Sequence, residues 1–522
     1  MASDEAIQDG STLIDFARLW MEGAGEPSLA AQFGTETKKQ DPDQASSGFC
    51  NFWQAGCVFD TILDYFLTLE EAGRFTPADA ALRQQLVGQA ITGYRNGIIG
   101  VNANWYDDWC WWGIAAAKAF DPDYEDGFGT DADAFRAMAL DLWGLVDQGD
   151  FGPVAQSVPD WAWKKSAFLY DDTKRVAKFT RETLTRRAEL HVGTRNAWSL
   201  ITDGPHGIPT DRTLSDRSYF TSPVPTVWAE PRFPGGCWQY DLSTWPFPVG
   251  DGPDWKDPNP RSCTLGVFQV TLMQGLYLSL CCALLTAARR KAAEKLSGGA
   301  WDALLAEEAY RQSADEVVGF LAAWLGLPGA DSLGCSQVDQ KPIEGMLVHE
   351  RPRTYARLRG TDLYPEIESY QADSFWAGDQ GLIMGALMQY RLVVGDGGRD
   401  AGEGGAAPIW TTCPEALLKG VCHAMGGTSP AGDYRPVKPF MPDAPPFSGD
   451  PGDYEAGSGV FWRYVMRCCR ADPAFRTQAQ ADPVIVGVAG VSGTTPDDSG
   501  NNLLFQPFNN VAAAIGAWHL LR

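Results

Sequence analysis

The sequence predicts an all-α protein, an (α/α)6 toroid in which six inner and six outer helices share one core. Helical periodicity of apolar residues recurs in about a dozen segments, whereas strand-like alternation is nearly absent. The chain has 522 residues, and chains beyond roughly 250–300 residues split into domains unless a repeating architecture enlarges the core. A toroid of paired helices accounts for both observations, so we expect residues 1–522 to form a single catalytic domain.

The helical elements follow one another with loops of unequal length. Thr76-Pro77 marks one helix start, because a threonine N-cap is followed by proline at the first helical position, and the sequence Leu325-Gly326-Leu327-Pro328 ends another helix. The segment 191–262 is rich in Gly, Pro and Trp and is predicted to be a long loop insertion that borders the active-site groove. The predicted helices cover residues 11–23, 48–70, 77–97, 109–120, 131–147, 161–190, 265–296, 300–326, 376–394, 413–425, 456–470 and 509–521.

The charge balance restricts the partners. The formal net charge is −24, and a surface this acidic repels nucleic acids and anionic membranes, which bind through basic groups. The sequence MASDEAIQDGSTLIDF lacks the basic and apolar regions of a secretory signal, which predicts a cytoplasmic protein. The alternative is a secreted protein whose signal has been removed. The charge and sequence leave the oligomeric state open.

One apolar segment is long enough to span a membrane. Residues 265–288 carry no charge and precede the basic run Arg289-Arg290-Lys291. Because Gln269 and Gln274 make this segment polar for a lipid environment, we expect a helix buried inside the protein instead of a membrane span. The twelve cysteines show no C-x-x-C pair and are interpreted mainly as small buried side chains, which favours a reducing compartment.

An aspartate pair in an aromatic cluster is the clearest chemical signal. Asp107-Asp108 lies in the run Asn102-Ala-Asn-Trp-Tyr-Asp-Asp-Trp-Cys-Trp-Trp112, which has four tryptophans. The pairs Asp171-Asp172 and Asp497-Asp498 lie in segments typical of a helix cap and a turn. Capping is also an alternative for Asp107-Asp108. However, two acids in an aromatic pocket are expected to differ in pKa, as a glycosidase requires of its proton donor and its carboxylate.

The spacing of the pair favours one glycosidase mechanism. Neighbouring Cα atoms lie about 3.8 Å apart, so the two carboxyls can approach the separation of roughly 5–5.5 Å that is typical of retaining enzymes. A magnesium motif of the D-D-x-x-D or D-D-x-x-E type would need an acid where the chain has Trp111. We therefore predict no metal and no cofactor.

The string WYDDWCWWGIAAAKAF resembles the signature of glycoside hydrolase family 76, which comprises α-1,6-mannanases with an (α/α)6 fold. Looser similarities are the run Gly235-Gly-Cys-Trp238, the run from Phe268 to Tyr277 and the run Ser374-Phe-Trp-Ala-Gly-Asp-Gln-Gly381. Gln269, Val270 and Gln274 differ from the residues usual in that family. The resemblance implies that Asp107 is the nucleophile, that Asp108 is the general acid/base and that the substrate is an α-mannoside or a related α-glycoside.

The remaining candidate residues follow from the cluster and from the resemblance. We expect tryptophan rings to stack on pyranose faces, polar side chains to hydrogen-bond sugar hydroxyls, and Gln269 and Gln274 to line the pocket. The candidates for binding an oligosaccharide or polysaccharide are Asn104, Trp105, Tyr106, Trp112, Trp238, Gln269, Gln274, Trp376 and Asp379.

Other functions of α/α toroids remain as alternatives. Cys422-His423, with Cys237 as a further ligand, resembles the zinc site of lanthionine cyclases, although the usual Trp-Cys-x-Gly-x-Pro-Gly partner is missing. A terpene cyclase would suit the tryptophans, but its Asp-x-Asp-Asp or Asp-Asp-x-x-Asp motif is absent. Sugar 2-epimerases depend on several histidines, and five in the whole chain argue against them. The last alternative is a non-catalytic carbohydrate-binding toroid.

Overall fold

The computed structural model describes a largely helical protein. The described residues are 52–93, 106–148, 228–231, 236–237, 270–329, 332–338, 340–351, 354–359, 367–368, 374–395, 408–428, 432–441, 452–494 and 505–522. The predicted helices 11–23 and 161–190 and nearly all of the loop 191–262 lie outside them.

Six long helices pack side by side. They are α1 (Phe52–Glu71), α3 (Tyr106–Ala117), α6 (Thr271–Glu294), α9 (Ala377–Val394), α11 (Gly457–Ala471) and α14 (Phe505–Leu521). Each packs against the next in this order, and α14 packs against α1. Trp53 of α1 stacks on Phe505 of α14, with ring centroids 6.1 Å apart. We call these six the ring helices.

The ring helices run in parallel, because the first turns of neighbouring helices meet. Glycines allow the closest approaches: a Cβ on Gly275 would lie 2.7 Å from the Cβ of Leu382, and one on Gly381 would lie 2.6 Å from the Cα of Phe461. These four residues all lie in the first two turns of α6, α9 or α11. The beginnings of the ring helices therefore gather at one end of the protein, which we call the N-terminal end of the ring.

A second set of helices packs outside the ring. It consists of α2 (Pro77–Gly93), α4 (Glu125–Phe128), α5 (Ala132–Gln148), α7 (Ala300–Ala303), α8 (Glu307–Leu325), α10 (Ile409–Gly420), α12 (Pro473–Gln480) and α13 (Pro483–Ser492). Each ring helix contacts one of these helices: α2 packs on α1, α5 on α3, α8 on α6, α10 on α9, α12 on α11 and α13 on α14. Short 3-10 turns at Lys118–Phe120, Gly129–Asp131 and Gly452–Ala456 and a π-helical turn at Val421–Gly426 complete the helical part.

The strands are short and lie in three small antiparallel sheets. They are β1 (Trp228–Pro231), β2 (Gly334–Val338), β3 (Lys341–Val348), β4 (Thr354–Arg359), β5 (Ile367–Glu368), β6 (Phe375–Trp376) and β7 (Phe440–Met441). The sheet orders are β1-β4-β5, β2-β3 and β6-β7. In the last sheet, Phe375 pairs with Met441 immediately before α9 begins. The expectation that the protein is mostly helical with little sheet is confirmed, and hairpins this brief leave little alternation in the sequence.

The apolar segment that was considered as a membrane span is ring helix α6. Thr271–Glu294 is the one helix in the described ranges that is long and apolar enough to cross a membrane, and 83 % of its most apolar window is buried inside the protein. Helices on both sides and α8 outside cover it, and such all-round packing explains why its residues are apolar on every face. The ten described cysteines are all free, and nine of them are buried.

Candidate functional site

Asp107 and Asp108 lie in the first turn of α3, at the N-terminal end of the ring. The Asp107 side chain is 5 % exposed, whereas Asp108 is half-buried. The backbone N–H of Asp108 donates a 3.0 Å hydrogen bond to Oδ1 of Asp107. That bond and the positive end of the helix dipole both favour the ionised form of Asp107. The two acids therefore have different environments although they are neighbours in sequence.

The aromatic residues that follow the aspartates pack into the core. Trp111 lies 5.7 Å from Trp53 and Trp112 lies 6.0 Å from Phe59, measured between ring centroids. Trp112 is 1 % exposed and also covers Gly56, while Tyr106 is 2 % exposed. The prediction that Trp112 faces a sugar is therefore corrected, because its ring fills the space between α3 and α1. Tyr106 packs on Trp109 with ring centroids 5.4 Å apart, and its contact with a sugar stays a prediction.

Gln274 holds a loop in place. Its Oε1 accepts from the N–H of Cys237 at 2.7 Å, and its Nε2 donates to the carbonyl oxygens of Cys237 at 2.9 Å and Val270 at 3.0 Å. Gln274 is fully buried, so its amide contacts backbone and not a pocket, which corrects the predicted pocket-lining role. Because the Cys237 and Cys110 thiols interact electrostatically, and Cys110 also interacts with Asp107, the held loop lies beside the aspartate turn.

Gln380 repeats this arrangement one ring helix further on. Both glutamines are the fourth residue of their ring helix. The Gln380 side chain accepts from the N–H of Val348 at 2.7 Å and donates to the carbonyl oxygens of Val348 at 2.8 Å and Trp376 at 3.0 Å. Gln380 was not among the predicted site residues, because the predicted helix 265–296 begins six residues before Thr271 and so conceals the equal distance of both glutamines from their helix starts.

Trp376 and Asp379 are buried at the start of α9. The Nε1 of Trp376 donates to the carbonyl oxygen of Tyr454 at 2.8 Å, and the ring packs against Gly457. Trp376 is 5 % exposed, so it is a packing residue in this structure, which corrects its predicted stacking on sugar. Asp379 is fully buried, and neither of its carboxyl oxygens has a hydrogen-bond partner.

A second acid accompanies Asp379. Burial and the negative charge of Glu350 raise the pKa of Asp379 well above its usual value, although Arg351 opposes this shift. Glu350 itself accepts from the Nε of Arg351 at 2.6 Å and from the hydroxyl of Tyr454 at 3.0 Å. The structure thus places Asp379, with a raised pKa, at the same end of the ring as Asp107. The predicted contact between Asp379 and a sugar hydroxyl stays a prediction.

Four predicted residues lie outside the described ranges: Asn104, Trp105, Trp238 and Gln269. The proposed zinc ligands are described, and they do not come together. Cys422 is fully buried and its pKa is raised by burial, His423 pairs with Asp482 at 3.0 Å, and Cys237 is held by Gln274. Within the described part, no group of three or more His, Cys, Asp or Glu residues is arranged to hold a metal ion.

Solved structures similar to the chain include members of the family that the aspartate motif resembles. An inactive variant of the α-1,6-mannanase GH76A of a Salegentibacter species, in complex with α-1,6-mannotetrose, shares 12 % identity over all of both chains with a TM-score of 0.44. Dfg5 from Chaetomium thermophilum, in complex with glucosamine, shares 11 % identity over 99 % of this chain and 91 % of its own, with a TM-score of 0.47.

A family 76 glycoside hydrolase from a bovine Bacteroides thetaiotaomicron strain shares 10 % identity over 99 % of this chain and 78 % of its own, with a TM-score of 0.44. No protein-family model and no curated protein matches the sequence.

Proposed function

We propose that the protein is a glycoside hydrolase with an (α/α)6 toroid and that it cleaves an α-mannoside or a related α-glycoside with Asp107 and Asp108. The observation that carries this proposal is the aspartate pair in the first turn of a ring helix, at the end where the other ring helices also begin. The closed sequence of contacts from α1 to α14 and back to α1 supports the toroid.

The different environments of the two acids support a division of labour. Asp107 is the more buried and accepts an N–H bond in the first turn of α3, which suits a carboxylate that attacks the anomeric carbon. Asp108 is half-buried and can exchange its proton with solvent, which suits the acid that protonates the leaving oxygen and then activates water. In this scheme the bond from Asp107 to the sugar forms as the glycosidic bond breaks, and water later hydrolyses it with retention.

The experiment that tests the proposal compares wild type with Asp107→Asn and Asp108→Asn on α-1,6-mannan and a panel of α-glycosides. Removal of either group is expected to lower kcat by about 10²–10⁴-fold. Asp497→Asn, which alters a pair outside the tryptophan cluster, is the control and should keep full activity. Equal activity in wild type and both site variants would contradict the assignment.

The stereochemistry needs its own measurement. NMR of the first product should show the α anomer before mutarotation, because two displacements at the anomeric carbon retain its configuration. A β product from the wild-type enzyme would exclude Asp107 as a nucleophile while leaving the hydrolase assignment intact.

A further inference from the structure

A cavity of about 580 Å³ lies at the other end of the ring. Its walls come from α3, α6, α9 and α11, mainly from their C-terminal halves, and from residues 120–124. Ten residues separate Asp107 from Ala117 in the cavity wall, which corresponds to a rise of about 15 Å along α3. The cavity is therefore separate from the aspartate pair, and its volume is within the range of roughly 300–1,000 Å³ of small-molecule sites.

A buried cluster of charges adjoins this cavity. Asp60 and Asp64 of α1 are fully buried and contact Lys118, Arg463 and Arg467. We call these five residues the charge cluster. Its three cations face only two carboxylates in the described part of the protein. Each cation pairs with a carboxylate, but the cluster holds one more cation than carboxylates, in a region where uncompensated charge is strongly disfavoured.

The excess charge is directed at the cavity. Lys118 and Arg467 both line it, whereas Arg463 is completely buried. Burial lowers the pKa of Lys118, and the neighbouring arginines lower it further, although Asp60 and Asp64 oppose this shift. Arg467 uses Nη2 for both carboxylates, at 2.6 Å from Asp60 and 3.5 Å from Asp64. Its remaining guanidinium nitrogens make no ion pair with a described residue.

The other walls define the rest of the ligand. Ile114, Ala283, Met388 and Leu392 contribute apolar surface to the cavity, which suits an aliphatic body more than a small inorganic ion. One further polar group reaches it, since the Gln389 Oε1 atom is buried without a hydrogen-bond partner among the described residues. The nitrogen of the same amide can donate to a ligand oxygen.

Acids at the cavity favour a singly charged ligand. Asp123 pairs with Arg470 at 2.7 Å, and Asp121 is exposed and accepts the N–H of Asp123 at 2.9 Å. Both acids line the cavity, and they repel dianions such as phosphate more strongly than a monocarboxylate. The three N–H donors of Lys118 are used by Asp60 and Asp64, so a ligand can bond directly only to Arg467. We propose that this cavity is a second ligand site that binds an aliphatic monocarboxylate, with the carboxylate against Arg467 beside Lys118 and the chain along the apolar wall.

The test is calorimetric titration of the full chain with acetate, butyrate, hexanoate and octanoate at constant ionic strength. The association constant should rise by about fourfold for each methylene that becomes buried. Hexanol at the same concentration should bind at least about tenfold more weakly, since it lacks the charge. The proposal would be overturned if hexanoate showed no saturable binding, or if hexanol bound as tightly as hexanoate.

Two variants locate the site. Ala283→Phe fills the cavity without touching the charge cluster and should weaken hexanoate binding at least about tenfold. Leu305→Phe adds the same ring at an exposed position away from the cavity and should leave binding unchanged. Unaltered binding to Ala283→Phe, or stronger binding of phosphate than of hexanoate, would also refute the assignment. The titration involves no glycan, so its outcome is independent of the proposed hydrolase activity.

Discussion

Removal of one acid from the charge cluster should destabilise the protein far more than removal of one cation. Asp64 is completely buried, accepts from the Tyr124 hydroxyl at 2.7 Å and contacts Lys118 and Arg463. Asp64→Asn keeps the shape but leaves three buried cations facing Asp60 alone. Breaking a buried ion pair in this way costs about 3–5 kcal/mol.

Lys118→Met is the matched comparison. It leaves two arginines facing two carboxylates, and Asp64 keeps its bonds to Tyr124 and Arg463. The variant loses the hydrogen bond from Nζ to the carbonyl oxygen of Asp60 at 2.9 Å and the ion pairs of Nζ with Asp60 and Asp64. Removal of one buried cation from a cluster with an excess of positive charge offsets the lost ion pairs, so we expect a net loss of about 1 kcal/mol. Urea unfolding monitored by circular dichroism measures both variants. If Lys118→Met were as unstable as Asp64→Asn, the argument from excess positive charge would be refuted.

The difference should depend on pH with a definite sign. Burial alone would raise the pKa of Asp60 and Asp64, but the surrounding cations outweigh burial and hold both pKa values below the usual 3.8. A carboxyl with a lowered pKa in the folded state stabilises the fold above its unfolded pKa and loses that contribution as the pH falls. The difference in free energy of unfolding between wild type and Asp64→Asn should therefore be fully present at pH 6 and decrease below about pH 4.

Three further perturbations test other buried groups. Burial and nearby arginines lower the pKa of His519 from 6.5 to about 3, so the folded state favours the neutral imidazole. The free energy of unfolding of the wild type should therefore fall by about 2 kcal/mol between pH 6.5 and 5. His519→Gln should flatten this decrease in urea titrations, and an unchanged slope would contradict the expectation. Because the pKa of Asp379 is raised in the folded state, the buried carboxyl destabilises the fold more as the pH rises. Asp379→Asn should therefore raise Tm more at pH 8 than at pH 4. A variant with a lower Tm than wild type at pH 8 would reveal a partner for the carboxylate. Gln274→Met leaves the N–H and carbonyl of Cys237 without hydrogen bonds, which should cost about 1–3 kcal/mol of stability for each group. Gln380→Met breaks a matching set of hydrogen bonds, so calorimetry should show a similar loss of stability for both variants. A Gln274→Met variant as stable as wild type would show that Gln274 does not hold the loop.

Much of the helical architecture was predictable because long amphipathic or apolar segments have a strong period. The predicted helix 376–394 is α9 (Ala377–Val394), and 456–470 is α11 (Gly457–Ala471). The predicted helix 300–326 is instead two helices, Ala300–Ala303 and Glu307–Leu325. Helices α12 and α13 were missed although Asp472-Pro473 and Asp482-Pro483 form N-caps, because neither has enough turns to show a period.

The candidate site was predictable in its position and less so in its contacts. The acid pair at a helix start was evident from local sequence, and the structure places it in the first turn of α3. The burial of Trp112 was not evident, because an aromatic cluster has the same sequence pattern whether its rings face a groove or a neighbouring helix. The charge cluster was missed because its partners lie some 400 residues apart, although Asp60 and Asp64 at a four-residue spacing in an apolar helix gave a signal.

The contact between Trp53 and Phe505 has a consequence for biosynthesis. It joins the first and last ring helices across about 450 residues, so during translation the flanks of α1 and α11 stay uncovered until α14 emerges from the ribosome. Contacts of such long range slow folding and expose apolar surface to aggregation. The emergence of α14, and not the synthesis of any earlier helix pair, is thus the step that completes the packing of the ring helices.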